Sequence, residues 1–436
     1  MKTTIEQRGL APARSVLDNG VRVIAKHAGA TPAVTIHASF EAGTIFDPPT
    51  EPGLSHFVSR TIDRGTATYT AEQIADRLEN RGISLAITVN RQALSLVCTC
   101  LVEDLDSTLA TVADVVTHPA FPDPEVETRR GEIITMIRQD EDNPAAMASE
   151  GLLSLLYGDV HPYGRRPRGS VESVEHITPS SLQAFHAARF RPGSLSLVMV
   201  GDVETGRAID SATRVFSAWT APPPAAPELP AAPPARERRV RVIPMMNKAQ
   251  ADIAYGFVTI VRADPAFYAY WLMNNILGEY SIGGRLGDSI RERQGMAYYV
   301  YSAMDASIVP GPLLIRAGVN PANVERALAS IDEEVARMAN DGPADQELAE
   351  SRQYLIGSLP RRLETNVGIA NFLQMVEFFG LGMDFDLRVP DLLRRVTRED
   401  AHAAARAVLD PAKAAVVIAG PYREPSNLRT LEPPNV

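Results

Sequence analysis

The sequence predicts an α+β protein of two similar halves, each a largely antiparallel sheet covered by helices. Three observations favour this class. Predicted strands come in pairs and are followed by clusters of helices, which is typical of sheets with segregated helices. The same order of elements recurs in both halves. A proline-rich stretch at 221–239 separates the two halves.

The first half opens with strands and closes with one. Short runs rich in apolar and β-branched residues predict strands at 21–24, 33–40, 83–89, 93–101 and 195–200. Helical patterns predict helices at 53–62 and 71–80 and several more within 105–189.

The second half repeats this order. Strands are predicted at 240–243, 251–258, 297–303, 313–316 and 414–419, and helices at 266–277, 284–291 and within 323–408. One helix can be checked by its period, because its apolar residues recur every three or four positions: Val324, Leu328, Ile331, Val335 and Met338. This stripe is expected to face a core.

The boundary between the halves follows from composition. Prolines at 222–224, 227, 230, 233 and 234 leave little room for a helix or a paired strand. Such a segment is expected to be an extended, semi-rigid spacer. We therefore expect an N-terminal half at 1–220, a linker at 221–239 and a C-terminal half at 240–436.

Composition restricts the partners and the compartment. The chain has 436 residues, with 43 Lys and Arg against 53 Asp and Glu, so its net charge of −10 gives little support to a nucleic-acid or anionic-membrane role. No apolar run approaches a membrane span, and no signal peptide is recognised. Cys98 and Cys100 are expected to be buried thiols in a reducing compartment. A cytoplasmic location is expected, with a periplasmic one as the alternative.

The segment at 53–60 reads Gly-Leu-Ser-His-Phe-Val-Ser-Arg. In the inverted zinc-peptidase motif His-x-x-Glu-His, two histidines bind zinc and the glutamate activates water. In this frame His56 is retained, while Ser59 and Arg60 replace the base and the second ligand. Serine cannot act as a carboxylate base, and a guanidinium remains positively charged. Because a catalytic zinc needs about three protein ligands, we expect no metal in this chain.

Other landmarks surround this degenerate motif. They are Ala-Gly-Thr at 42–44, Arg-Gly-Thr at 64–66, His-Pro-Tyr-Gly at 161–164, the run at 185–192, Val-Met-Val-Gly-Asp at 198–202 and the region 278–298. In residues and order they resemble the pitrilysin/insulinase family of zinc peptidases, which includes the mitochondrial processing peptidases and paired bacterial enzymes. The resemblance covers nearly the whole chain and implies the family's duplicated fold.

The family places a third zinc ligand, a glutamate, on a later helix before an Asp-x-Pro segment. Asp-Asn-Pro at 142–144 resembles that segment, and counting back from it reaches Thr135 or Met136. Glu132 lies one turn earlier on the same face, so a shifted alignment would restore a carboxylate. Even then, His56 and Glu132 would supply only two ligands, with Arg60 nearby.

The resemblance also implies a role for Arg291 and Tyr298. In this family an arginine and a tyrosine, seven positions apart in the half opposite the zinc, act on the peptide group being cut. Arg291 and Tyr298 have that separation, which selects Tyr298 over its neighbour Tyr299. Both side chains can donate hydrogen bonds to a carbonyl or an oxyanion. From local sequence alone, they would be a solvated helix residue and a strand aromatic.

A smaller feature is the pair Gly283 and Gly284, within Ser-Ile-Gly-Gly-Arg-Leu at 281–286. In the non-catalytic subunit of the mitochondrial enzyme, a longer glycine-rich loop near this position helps to receive substrate. The resemblance therefore implies a substrate contact at these glycines. The alternative is that they only form a turn into the next helix.

In the family's paired bacterial enzymes, one subunit carries the zinc motif and the other carries the arginine and tyrosine. This chain resembles the second kind, which implies a homologous zinc-binding partner subunit and a peptide or unfolded segment as substrate. One alternative is a non-proteolytic assembly subunit, like the core proteins of respiratory complexes. A self-sufficient hydrolase is the other, but no Gly-x-Ser-x-Gly elbow supports it.

Overall fold

The computed structural model describes residues 9–227, 229–280 and 283–423. Within these ranges the chain forms two β-sheets, one from each half, and both are packed with helices. The predicted α+β class with two sheet-and-helix halves is confirmed.

The first sheet has six strands in the order β1-β2-β6-β3-β5-β4. Its neighbours pair antiparallel except for β2 and β6, which are parallel. The strands are β1 (Ala13–Val16), β2 (Arg22–His27), β3 (Ala33–Phe40), β4 (Ala86–Val89), β5 (Leu94–Leu101) and β6 (Leu195–Gly201). Since β4 is the last strand in this order, it is an edge strand.

The second sheet has five strands in the order β7-β11-β8-β10-β9. Only β7 and β11 are parallel. The strands are β7 (Arg239–Pro244), β8 (Ala251–Val258), β9 (Ala297–Met304), β10 (Pro312–Val319) and β11 (Ala415–Gly420). Here β9 is an edge strand.

Helices make up most of the remaining described chain. In the first half they are α1 (Leu54–Thr61), α2 (Ala71–Glu79), α3 (Leu105–Thr117), α4 (Asp123–Glu141), α5 (Pro144–Tyr157), α6 (Val171–His176), α7 (Pro179–Arg189) and α8 (Thr205–Phe216). In the second half they are α9 (Phe267–Asn274), α10 (Val324–Asp341), α11 (Asp345–Arg362), α12 (Asn366–Phe378), α13 (Phe385–Arg395) and α14 (Arg398–Val408). Two π-helical segments, Asn275–Glu279 and Gly287–Arg293, follow α9.

The chain divides into two compact units that exchange segments. The first unit holds the first sheet and also takes Ser358–Arg388, which contains α12. There Ile369 and Leu373 pack against Val198 of β6, so α12 covers the sheet face opposite the main core. The second unit holds the second sheet and takes Arg138–Arg165, which contains α5. The sequence pattern showed the two sheets but not this exchange of helices.

Most predicted elements are present, and the differences have local causes. The apolar stripe of α10 is buried throughout, as its period predicted. Strand β1 and helix α8 were missed. The helix predicted at 266–277 is present as α9 over Phe267–Asn274 and turns π-helical from Asn275, whereas the helix predicted at 284–291 is mostly π-helical, at Gly287–Arg293. Cys98 and Cys100 are buried free thiols, as expected, and burial raises the pKa of Cys98 to about 12.

Candidate functional site

The helix that carries the degenerate motif has a fixed starting point. The Asp47 carboxylate accepts hydrogen bonds from the backbone N–H groups of Gly53 at 2.9 Å and Ser55 at 2.8 Å, which caps α1. Gly53 has φ +95°, and a Cβ there would lie 2.4 Å from the Arg168 carbonyl oxygen. Glycine is therefore required where the chain enters α1.

At the position of the catalytic base, Ser59 turns back onto its own helix. Its hydroxyl donates a 2.7 Å hydrogen bond to the His56 carbonyl oxygen, and the residue is only 5% exposed. A hydroxyl held in this way neither carries negative charge nor takes a proton from water at neutral pH. The structure therefore supplies no base at this position.

At the position of the second ligand, Arg60 forms an ion pair with Glu132 of α4. Its Nη2 lies 3.2 Å from Glu132 Oε2. The other carboxylate oxygen, Oε1, accepts a hydrogen bond from Arg129, one turn earlier on α4. These two arginines lower the pKa of Glu132, the larger effect coming from the hydrogen bond of Arg129. The carboxylate is therefore ionised and already neutralised by guanidinium groups.

The three candidate third-ligand positions differ in what they face. Glu132 faces the motif helix through its contact with Arg60. Thr135 is exposed, and its hydroxyl donates to the Gly131 carbonyl oxygen at 2.9 Å. Met136 packs against the hydrophobic core of the first unit. Glu132 is thus the carboxylate next to the motif.

Zinc does not fit these residues. The family's metal would need two imidazoles and a carboxylate, whereas the site offers His56, a guanidinium and a carboxylate paired with two arginines. Throughout the described ranges, no cluster of three or more His, Cys, Asp or Glu side chains could hold an ion. The residues at the three motif positions therefore do not match the donor set of a catalytic zinc ion.

Arg291 lies near the end of the second π-helical segment. The turn into β9 is closed by the N–H of Gly295, which donates to the Arg291 carbonyl oxygen at 3.0 Å. The Arg291 side chain is 25% exposed, and its Nε donates to the adjacent Glu292 at 2.8 Å. Only Nε takes part in this contact with Glu292, and the two terminal nitrogens of the guanidinium do not.

Tyr298 lies in a bulge of the edge strand β9. Val319 of β10 pairs with Ala297, and Gly318 pairs with Tyr299, so Tyr298 is the extra residue between two paired positions. Tyr298 is 68% exposed, and among the large apolar and aromatic residues that the structure describes only Val160 is more exposed. A phenol in this position is accessible to a ligand from solvent.

The neighbouring tyrosine has a different environment. Tyr299 is half-buried and donates a hydrogen bond from its hydroxyl to Asp252 of β8. Its ring centroid lies 6.0 Å from that of Tyr301, two residues later on the same strand. Burial and the contact with Asp252 raise the pKa of Tyr299 well above its usual value, so this phenol stays protonated at neutral pH. Tyr298 is therefore exposed to solvent, whereas Tyr299 is held in place by its hydrogen bond to Asp252.

The glycine pair is explained in part by close packing. A Cβ on Gly283 would lie 2.1 Å from the Tyr280 ring, and one on Gly284 would lie 2.9 Å from the Gly278 Cα. Tyr280 in turn packs on Tyr354 of α11, with ring centroids 4.3 Å apart. Ser281 and Ile282, in the same stretch, lie outside the described residues. The substrate contact at Gly283 and Gly284 stays a prediction.

The sequence did not reveal every residue of these two sites. Arg129 was missed, although its position three residues before Glu132 on a helix is a recognisable pairing distance. The anchor of Tyr299 was missed because Asp252 lies on another strand. The sequence signal for this contact was Asp252 itself, a single acidic residue in an otherwise apolar strand. A buried acidic residue of this kind is expected to have a hydrogen-bond partner.

Two sheet-and-helix halves, and a motif helix that has His56 but Ser59 and Arg60 at the other two motif positions, define a metallopeptidase-like protein. Comparison with known families agrees. Residues 22–162 match Insulinase (Peptidase family M16), and residues 176–355 match the Peptidase M16 inactive domain. The chain belongs to peptidase family M16.

Relatives match over nearly the whole length. An uncharacterized zinc protease of Mycobacterium tuberculosis (strain ATCC 25618 / H37Rv) is 28% identical over 422 residues, covering 95% of this chain and 94% of the relative. One from Streptomyces coelicolor is 25% identical over 419 residues, covering 94% of this chain and 90% of the relative. These are similar proteins that carry the name of zinc proteases.

Solved structures show the same architecture. A peptidase M16 inactive domain from Pseudomonas fluorescens superposes with a TM-score of 0.87 at 26% identity, covering 97% of this chain and 100% of that one. A protease from Helicobacter pylori superposes with a TM-score of 0.86 at 15% identity, covering 94% and 99%, and shares the fold. Within the described ranges, no helix is both long and apolar enough to cross a membrane.

Proposed function

We propose that this chain is the metal-free subunit of a two-subunit zinc peptidase, in which it completes the active site of a homologous partner. The observation that carries the proposal is the ion pair of Arg60 with Glu132, which lies where the resemblance implies metal ligands, in a chain that belongs to family M16. The partner subunit would hold the zinc ion.

The contribution of this chain would come from its second unit. Arg291 and Tyr298 would donate hydrogen bonds to the scissile carbonyl and to the oxyanion that forms as it is attacked. Tyr298 supports this role because it is highly exposed at a bulge, a feature over-represented next to active sites. Hydrogen-bond donors aimed at a developing oxyanion typically change rates by about 100- to 1,000-fold each.

The substrate would be a peptide or an unfolded segment. An extended chain can add to an exposed sheet edge through its backbone, and side-chain pockets then determine specificity. Since β9 is an edge strand and carries Tyr298, such an edge lies beside the proposed donor. Folded proteins would be poor substrates, because their backbones are already paired.

The test uses this chain, a family homologue from the same organism that has the intact His-x-x-Glu-His motif, and an equimolar mixture of the two. Zinc is measured in each sample, and hydrolysis is followed with a fluorogenic peptide. Zinc in the homologue, little in this chain and strong activity only in the mixture would support the proposal.

Three other results would contradict it. Near-stoichiometric zinc in this chain would show a metal site that the residues do not predict. Chelator-resistant hydrolysis by this chain alone would show a self-sufficient enzyme. A stable complex whose activity does not depend on Arg291 or Tyr298 would favour the structural subunit.

A further inference from the structure

The bulge at Tyr298 is supported by a contact that spans three strands. Tyr299 follows the bulge on β9, and its hydroxyl donates to the carboxylate of Asp252 on β8, with β10 between them. Asp252 is 3% exposed, and its second oxygen accepts a 3.2 Å hydrogen bond from Gln250 Nε2. A buried carboxylate needs such donors, because an unpaired one is costly.

The intervening strand provides the space for this contact. Gly318 of β10 pairs with Tyr299, and a Cβ there would lie 2.5 Å from Tyr299 Cε1 and 2.4 Å from Gln250 Nε2. The aromatic ring therefore crosses directly over the glycine. Any larger residue at 318 would push the ring off its path to Asp252.

This arrangement fixes one side of the bulge. Residue 298 is unpaired, so its direction depends on how firmly its neighbours are held. On the C-terminal side, Tyr299 is held by its backbone pairing with Gly318 and by its phenol. The phenol is protonated at neutral pH, as a phenol with its ordinary pKa of about 10 also is, so it can donate this hydrogen bond.

We propose that Asp252, Tyr299 and Gly318 position Tyr298, holding the bulge in the geometry that presents the Tyr298 hydroxyl to the substrate. This inference rests on the proposed function. Asp252 and Tyr299 would act through Tyr298 and would not touch the substrate, so they are positioning residues.

The kinetic test uses the reconstituted pair. Tyr299→Phe keeps the ring and removes the donor, and we expect kcat to fall about tenfold with KM nearly unchanged, as for the loss of one buried hydrogen bond to a charged group. In a Tyr298→Phe background the same change should have little further effect, since there is no hydroxyl left to position. Tyr270→Phe, which removes a hydroxyl from α9 of the same unit, should leave kcat unchanged.

Asp252 allows a rescue experiment. Asp252→Asn keeps an oxygen that accepts from Tyr299, and we expect it to retain most of the activity. Asp252→Leu removes the acceptor and should behave like Tyr299→Phe. A fall in kcat that is equal for both variants, or a Tyr299→Phe variant with wild-type kcat, would overturn the inference.

A second readout does not need the partner. Backbone amide exchange of the peptide that covers the bulge is measured in the full chain alone, where Tyr299→Phe and Gly318→Ala should both speed exchange around residue 298. If Tyr298→Phe has no kinetic effect but exchange increases as expected, the proposed function fails and the structural support of the bulge stands. If exchange is unchanged in both variants, the positioning role is wrong.

Discussion

Arg60 on α1 donates a hydrogen bond to Glu132 on α4, with Nη2 and Oε2 3.2 Å apart. A guanidinium thus stands next to a carboxylate of α4. The pair joins the helix of the degenerate motif to the helix on which the resemblance implies a third ligand. A guanidinium carries a fixed positive charge and cannot bind a metal ion as an imidazole can.

The pair is expected to contribute little stability. The Arg60 and Glu132 side chains are 42% and 38% exposed, so Glu132→Gln should cost less than about 1 kcal/mol at pH 7. Because the folded pKa of Glu132 is lowered from 4.5, its contribution is present above pH 4.5 and is lost as the pH falls through the folded value. Urea unfolding of both proteins at pH 7 and pH 3 measures this difference. A cost that stays the same at pH 3 would contradict the assignment.

Restoring the motif should restore metal binding. Ser59→Glu combined with Arg60→His adds an imidazole one turn from His56 and releases Glu132 from one of its arginines. We expect this double variant to retain about one zinc per chain after dialysis, because three ligands then converge. Ser59→Glu alone is the control and should bind none. A metal-free double variant would show that the helices are too far apart to form the site.

Acid should weaken the first unit through buried histidines. Burial lowers the pKa of His186 from 6.5 to about 4, and its Nε2 donates to the Val116 carbonyl oxygen at 2.8 Å. Between these pH values the unfolded chain takes up a proton and the folded chain does not. The contribution of neutral His186 to the free energy of unfolding is therefore complete above pH 6.5 and is lost as the pH falls toward 4.

The measurement is the urea midpoint as a function of pH. His186→Gln should flatten the fall between pH 6.5 and 4, with roughly 1.4 kcal/mol per pH unit expected from one such group. The exposed His176 provides the matched control, since His176→Gln should leave the slope as it is. Identical slopes for wild type and His186→Gln would show that His186 is not the titrating group.

Gly53 should be difficult to replace. Its φ of +95° and the 2.4 Å contact that a Cβ would make with the Arg168 carbonyl oxygen predict a loss of roughly 1–3 kcal/mol for Gly53→Ala. Gly131 is exposed in the middle of α4, with nothing within 4 Å of its Cβ position. Gly131→Ala should therefore stabilise the protein by about 0.5–1 kcal/mol. Thermal unfolding of the two variants checks both signs. A Gly53→Ala variant as stable as the wild type would show that a side chain at position 53 causes no strain.

Local sequence was sufficient for much of the fold. The largely apolar strand at 251–258 has the predicted bounds, and the α10 stripe is buried as its spacing requires. Strand β1 was missed because Ala13–Val16 is short and only half apolar. Helix α8 was missed although Ala208, Ala212 and Phe216 recur every four residues and are buried.

Other features depend on residues far apart in the chain. Arg60 and Glu132 are 72 positions apart, so no local pattern joins them. Gly278, in the first π-helical segment, lies so close to β9 that a Cβ there would be 2.8 Å from the backbone nitrogen of Ser302. The degenerate motif itself was visible from the sequence, because it required only the identity of three residues. The exposure of Tyr298 required knowledge of the strand register.

In the proposed function, this chain supplies Arg291 and Tyr298 to the active site of a partner. The most direct measurement is the kcat of the reconstituted pair with Arg291→Ala or Tyr298→Phe in this chain. Arg293→Ala, on the same π-helical segment and paired with Asp288, is the matched control. We expect kcat to fall about 100-fold or more for either variant, with assembly and zinc content unchanged. Wild-type kcat in both variants would contradict it.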